Sequence, residues 1–423
     1  MTTLIKHIDS LVTLKNGNPD HRAAPALMAD LSEIHDGAIL FAENVIATGT
    51  TAEIEAKIAS GELVADAVIE AKGKTLMPGF VDSHTHIVFG GDRSQEFGKR
   101  LRGATYKDIA QEGGGILRTM KGTREASKEQ LFESAKRLAW EAISHGTTAM
   151  EVKSGYGLTT ESEIKMLEVI QMLKKELPIE IIPTFLGAHD FPPEYSNGQK
   201  DGYVDLICNK MLPIVAERHL AEYCDAFVDE GYYTLAQARK IFEKAKSLGM
   251  KIRVHADEMA CVHAAGLAAE IGSVSADHLL FISDEDIEKA REAGMVCTSM
   301  PGTAYFIRMP YAPARKIIDK GAILALASDC NPGSCYTQNM QLVMSLAVIN
   351  MKMTAEEAIC AATINGAKAV GRSNRLGSLA NGKQADFIIL DSPSYLDMFY
   401  HFGVNHVSEV WTKGRRIKVN EKY

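Results

Sequence analysis

His84 and His86 stand one residue apart at the end of the apolar run Met-Pro-Gly-Phe-Val-Asp-Ser-His-Thr-His, residues 77–86. On a strand such a pair shares one face, so both imidazoles converge beyond its C-terminal end. Converging imidazoles are ligands for a divalent metal, and the ends of buried strands are where α/β enzymes gather their chemistry. Polar residues at the ends of other apolar runs add His189, Asp229 with Glu230, His255 followed by Glu258, His278, and Asp329 followed by Asn331, Gly333 and Ser334. His84, His86, His255 and Asp329 form a set that holds one Zn²⁺ or Fe²⁺ per chain and leaves a position for water, whose pKa the ion lowers toward neutrality. Glu258, three residues beyond a ligand, is placed to take that water's proton and return it to a leaving nitrogen. A neutral His278 suits orientation of the attacking oxygen or polarisation of a carbonyl. The catalytic candidates are therefore Glu258, His278 and Asp329.

These residues need a frame that brings strand ends together. Between residues 80 and 330, apolar runs alternate with amphipathic helices: Gly79–Ser83, Thr147–Val152, Glu180–Leu186, Ala226–Asp229, Lys251–His255, Val274–His278, Met295–Ser299 and Ile323–Ser328. Eight runs, nearly all hydrophobic on both faces, predict strands of a parallel sheet buried on both sides. Thr160 with Glu163 reads as a capping box opening one helix, Thr234 opens a second, and Ser283 opens a third that Gly294 closes. Eight βα units point to a (β/α)8 barrel, an α/β fold of the TIM type. The seventh run, ending Ser299-Met-Pro-Gly, carries no chemistry of its own.

The flanks read as short strands with glycine turns, and neither is long enough to make a comfortable core alone. A small β-sandwich assembled from both chain ends, residues 1–76 and 377–423, beside a barrel of residues 77–376, is the expected organisation. The chain has 423 residues, 46% hydrophobic and 24% charged, with a formal net charge of −8. That charge and the lack of any Lys/Arg run argue against a nucleic-acid or membrane surface. Seven scattered cysteines without a C-x-x-C pair fit reduced thiols in the cytoplasm.

The constellation resembles the metal-dependent amidohydrolase superfamily: the PGFVDSHTH strand, a His on the fifth strand, a His on the sixth, an Asp on the eighth and a closing LGSLANGKQADFIILD segment. The match spans nearly the whole chain. Dinuclear relatives carry a bridging lysine at the end of the fourth strand, whereas this run ends Val228-Asp229-Glu230-Gly231, which favours one metal. The segments HIVFGGDRSQEF, EVKSGYGL, FLGAHDFPPEY, HADE and SDCNPGSC are similar to the imidazolonepropionase family. That resemblance implies a small-molecule substrate, 4-imidazolone-5-propanoate, opened at a ring C–N bond to N-formimidoyl-L-glutamate in histidine degradation. It implies Arg93, Tyr106, Tyr156, His189, Glu258, Asn331, Gly333 and Ser334 as substrate contacts. Arg93, seven residues beyond His86, suits the substrate carboxylate. A homodimer is the default assembly. A one-metal cytosine- or guanine-type deaminase would share every ligand but would not require Arg93; a non-enzymatic scaffold of the dihydropyrimidinase-related kind would have lost ligands.

Other residues read as structural. Lys153 tempts as a modified metal bridge, but on the second strand an ion pair is expected. Gly113–Gly115 suits a flexible mouth loop, Cys330 a small buried filler, and His145 a helix end favoured by the dipole.

Overall fold

In the computed structural model, which describes residues 1–103, 114–196 and 198–418, the N-terminal flank supplies β1 (Thr3–Val12), β2 (Glu33–Phe41), β3 (Val45–Thr50), β4 (Ala67–Glu70) and β5 (Thr75–Pro78). The eight apolar runs become β6 (Phe80–Asp82), β7 (Thr147–Lys153), β8 (Glu180–Ala188), β9 (Tyr223–Val228), β10 (Lys251–Ala256), β11 (Ser275–His278), β12 (Val296–Ser299) and β13 (Ile323–Leu326). The tail adds β14 (Phe387–Leu390), β15 (Val407–Thr412) and β16 (Arg415–Ile417). Tyr106 and the start of the Gly113–Gly115 loop lie outside the described residues.

Strands β6 to β13 pair in parallel and in sequence order, the (β/α)8 arrangement. Closure between first and last comes just beyond them, where Thr85 bridges Cys330. There the Asp329 N–H donates to His84 O at 3.0 Å and the His86 N–H to Cys330 O at 3.0 Å. The seam of the barrel thus runs through three of the metal-ligand candidates, His84, His86 and Asp329, and fixes their spacing by backbone hydrogen bonds.

Local chemistry follows the sequence at most helix ends. Thr234 forms a capping box with Gln237, Ser283 caps the helix Asp284–Ala293, and Gly294 ends it at φ +62°. The expected box at Thr160 and Glu163 does not form. Thr159 is the cap, accepting from the Ser162 N–H, while Glu163 turns back to accept the N–H groups of Gly157 and Leu158 at 2.8 and 2.9 Å. Two buried amides in the preceding loop compete better for that carboxylate than one exposed N-cap amide does. A helix at Thr51–Ala59, capped by Thr50 and Glu53, interrupts a flank expected to hold only short strands.

The flanks join as one eight-stranded sheet, ordered β16-β15-β14-β5-β1-β2-β3 with β4 beside β1. The register of β1 shifts between Ile5 and Ile8, so its first half pairs with β4 and its second with β5. The sheet curls over its own core, bringing Phe41 of β2 to 5.5 Å from Trp411 of β15, as the two layers of a sandwich do. β14 alternates: Phe387 and Ile389 enter that core, Ile388 and Leu390 the barrel's. Since β5 belongs to the small sheet and β6 to the barrel, we propose to draw the domain boundary through Gly79, slightly later than residue 76. Among the described residues no helix is long and apolar enough to cross a membrane.

Candidate active site

At the C-terminal mouth of the barrel, β6 delivers His84 and His86, β10 delivers His255, and the turn after β13 delivers Asp329, all almost fully buried. His84 Nε2 is 3.2 Å from His86 Nε2, which is 3.4 Å from His255 Nε2. Asp329 Oδ1 is 3.6 Å from the first and 3.5 Å from the second. Donors around a tetrahedral ion at metal–ligand distances near 2.0–2.1 Å stand about 3.3 Å apart, close to the spacing of His84, His86 and Asp329, while His84 also forms a close trio with His255 and His278. The three imidazole nitrogens turn on one another, with the Asp329 oxygen beside two of them. Burial holds His84 and His86 well below the ordinary histidine range, with Lys153 and neighbouring imidazoles adding to it, so both rings are uncharged. The residues present suit a divalent cation.

His278 and Glu258 flank this cluster, with His278 Nε2 3.5 Å from Glu258 Oε2. His278 and Asp329 both adopt left-handed backbone, at φ +79° and +51°, conformations that cost energy and are kept where a site needs them. Burial, reinforced by the Asp329 and Asp229 carboxylates, pushes Glu258 up to about 8. Burial also raises Asp329, to about 6. Asp229 points away from the reacting centre: its two oxygens accept the N–H groups of Glu258, Met259 and Ala260 at 2.7, 2.8 and 3.1 Å. It is the clasp of the loop that presents Glu258. Thr303, from the helix after β12, donates to Asp329 Oδ2 at 2.6 Å, so the seventh unit does contribute.

A cavity of about 410 Å³ opens over the cluster, and its lining includes Arg93, Tyr156, His189, Asn331, Gly333 and Ser334. Arg93 donates from Nε to Glu96 Oε2 at 2.9 Å, leaving the outer edge of its guanidinium toward the cavity. A Cβ on Gly333 would lie 2.2 Å from Arg93 Nη1, so only glycine lets the guanidinium sit there. Asn331 builds the loop beneath, its Oδ1 accepting the Gly333 and Ser334 N–H groups, both at 2.8 Å. His189 Nδ1 sits 3.0 Å from Gly155 O, and its ring stacks on His86 with centroids 5.1 Å apart. Burial, with His255 beside it, pulls His189 down to about 3, so it faces the cavity uncharged. Lys153 is, as expected, in buried ion pairs rather than among the ligand candidates.

Residues 75–417 match the amidohydrolase family. The imidazolonepropionase of Alkaliphilus metalliredigens (strain QYMF) is 45% identical over 98% of this chain and 97% of its own length. That of Geobacillus thermodenitrificans (strain NG80-2) is 46% identical over 99% and 98%. The chain belongs to the imidazolonepropionase family. Like other amidohydrolases, members of this family are metal-dependent hydrolases, and the buried histidine–aspartate set accords with that. A solved adenosine deaminase from Xanthomonas campestris with bound zinc superposes with a TM-score of 0.69 at 19% identity, covering 98% of this chain and 92% of that one, a likeness of fold.

Sequence reading of this imidazolonepropionase homologue missed Thr303, Glu96 and the second row of charge behind the histidines. Asp225, Arg253 and Asp277 sit inside strand runs that are otherwise apolar. A charged residue in such a run was the available signal.

Proposed function

We propose that the chain hydrolyses 4-imidazolone-5-propanoate to N-formimidoyl-L-glutamate, using one divalent ion, Zn²⁺ or Fe²⁺, held by His84, His86, His255 and Asp329. The observation that carries this reading is a cavity whose lining joins His86, His255 and Asp329, with His84 buried 3.2 Å from His86, to Arg93 on its wall. A divalent ion at that floor supplies a Lewis acid that lowers the pKa of water toward neutrality. Arg93 binds the propanoate carboxylate through a charge-assisted pair, which orients the ring over the floor. Tyr156 and His189 flank the ring, and Asn331, Gly333 and Ser334 form the opposite rim. Tyr106 is proposed as a further contact on the family resemblance. Glu258 accepts the proton of the attacking water at a carboxylate oxygen, and the ring C–N bond breaks as that proton passes to the leaving nitrogen. His278, uncharged beside it, orients the oxygen that attacks. One water is consumed and both of its hydrogens are kept in the product.

The direct test is incubation of the purified protein with imidazolone propanoate, with product analysis and metal content measured together. Formimidoylglutamate at one ion per chain supports the reading. Ammonia released from cytosine or guanine, without ring opening of the acid, would replace it with a nucleobase deaminase. All seven cysteines are unpaired and six are buried, which supports the cytoplasm as its compartment. A homodimer is proposed as the assembly, tested by light scattering.

A further inference from the structure

Behind the histidines lies a layer of charge for which direct metal ligation gives no role. Glu151, Lys153, Asp225, Arg253 and Asp277 expose none of their surface. Lys153 Nζ is 2.8 Å from both Glu151 Oε1 and Asp225 Oδ2, and 4.0 Å from Asp277 Oδ2. Arg253 donates from Nη2 to Asp277 Oδ2 at 2.9 Å and to Ser83 O at 2.7 Å, and from Nη1 to Ala369 O at 2.6 Å. The two carboxylates that take up these cations also reach the metal set. Asp277 Oδ2 is 2.7 Å from His84 Nδ1. Asp225 accepts the His255 backbone N–H at 3.2 Å, and its other oxygen lies 3.1 Å from His255 Nδ1, close to it but outside hydrogen-bond geometry.

Stability is a poor explanation for such a layer, because well-packed apolar side chains usually replace buried ion pairs at little or no loss. Two features look toward the metal instead. A carboxylate beside Nδ1 keeps the imidazole proton there and leaves the Nε2 lone pair for an ion. Lys153 and Arg253 in turn grip the same carboxylates, at 2.8 Å from Asp225 Oδ2 and 2.9 Å from Asp277 Oδ2, and so fix where they stand behind the imidazoles.

We infer that Asp277 and Asp225 are positioning residues for the metal centre: they set the tautomer and orientation of His84 and His255, and Lys153 and Arg253 hold them in place. The inference rests on the ligand set proposed above. Asp277 Oδ1 has no hydrogen-bond partner, so an amide nitrogen can occupy its place without breaking a contact. Asp277→Asn thus removes charge while keeping shape.

The experiment measures Zn²⁺ affinity of the purified protein by competition with a chromophoric chelator, and records the absorption spectrum after Co²⁺ substitution. Asp277→Asn and Asp225→Asn should each weaken Zn²⁺ binding 10- to 100-fold and alter the Co²⁺ spectrum. Glu163→Gln, a buried acid away from the histidines, should lower the melting temperature yet leave Zn²⁺ affinity within threefold, roughly the spread of context effects. If one aspartate variant fails to fold, the other carries the test at its own histidine. Wild-type protein that takes up no Zn²⁺ would sink the ligand assignment itself. Wild type binding one Zn²⁺ per chain, with both variants binding within threefold of it, would overturn this inference alone.

Discussion

Glu258 occupies an unusual position for a carboxylate: buried, clasped through its backbone by Asp229, and pushed up to about 8. A group poised near neutrality is suited to accept and return a proton in one cycle. Glu258→Gln keeps the shape but cannot accept a proton, so kcat should fall by about 10²–10⁴ with metal content unchanged. Stopped assays beside metal analysis check this; near-native kcat would move the role to His278. Arg93 contributes differently. Arg93→Met should raise KM strongly, losing roughly 2–5 kcal/mol in kcat/KM, because the substrate carboxylate is left buried and unpaired. A ring analogue lacking the carboxylate should be a poor substrate for wild type and nearly indifferent to the substitution. Equal turnover of analogue and acid would remove the clamp. That both residues line the cavity was legible in the sequence, because each follows a strand-end histidine at short spacing. Thr303 was not, since its partner Asp329 lies 26 positions away and only the fold brings them together.

At the scale of elements, the joints between small sheet and barrel depend on buried polar groups. Lys383 is nearly buried, and its Nζ donates to Pro19 O at 2.8 Å, Ser373 O at 2.6 Å and Leu376 O at 3.4 Å. Three carbonyls match the three N–H groups of an ammonium. Lys383→Met leaves those acceptors unpaired and should cost roughly 2–4 kcal/mol, read from urea unfolding. Asp386, at the start of the last sheet segment, is pushed up to about 6 by burial. A folded carboxyl above its unfolded value favours the protonated fold, so its contribution to stability falls as pH rises from about 4 to 6. Asp386→Asn should flatten that part of the stability–pH profile; an unchanged slope would assign it to other acids. The eight barrel strands were legible because they are apolar on both faces. The misplaced capping box shows the limit: Thr159 and Thr160 are equally good caps in sequence, and what decides is a loop that recruits Glu163. The boundary we propose at Gly79 was hidden for a similar reason, since Thr75–Pro78 and Phe80–Asp82 are one apolar run shared between two sheets.

For the molecule as a whole, the proposed metal would be linked to the fold, because three of its four ligand candidates, His84, His86 and Asp329, sit at the seam where β6 meets β13. An ion that binds only the folded chain adds stability as RT ln(1 + [L]/Kd), about 4 kcal/mol when free ion exceeds Kd a thousandfold. Removing it with a chelator should lower the melting temperature, and adding Zn²⁺ back should restore it; a melting temperature indifferent to chelation would separate the ions from the seam. Both chain ends being needed for one sheet was legible only as an inference from flanks too short to fold alone. The order of that sheet has a further consequence, for synthesis. β5 pairs with β1 on one side and β14 on the other, and about three hundred residues separate β5 from β14 in the chain. At a ribosome adding roughly 5–20 residues each second, the outer edge of β5 waits about 15–60 s for its neighbour. An unpaired apolar strand edge is a template for the wrong partner. Each nascent copy therefore passes through an interval of exposure that ends only when β14 emerges, and a polypeptide released before Phe387 would never leave it.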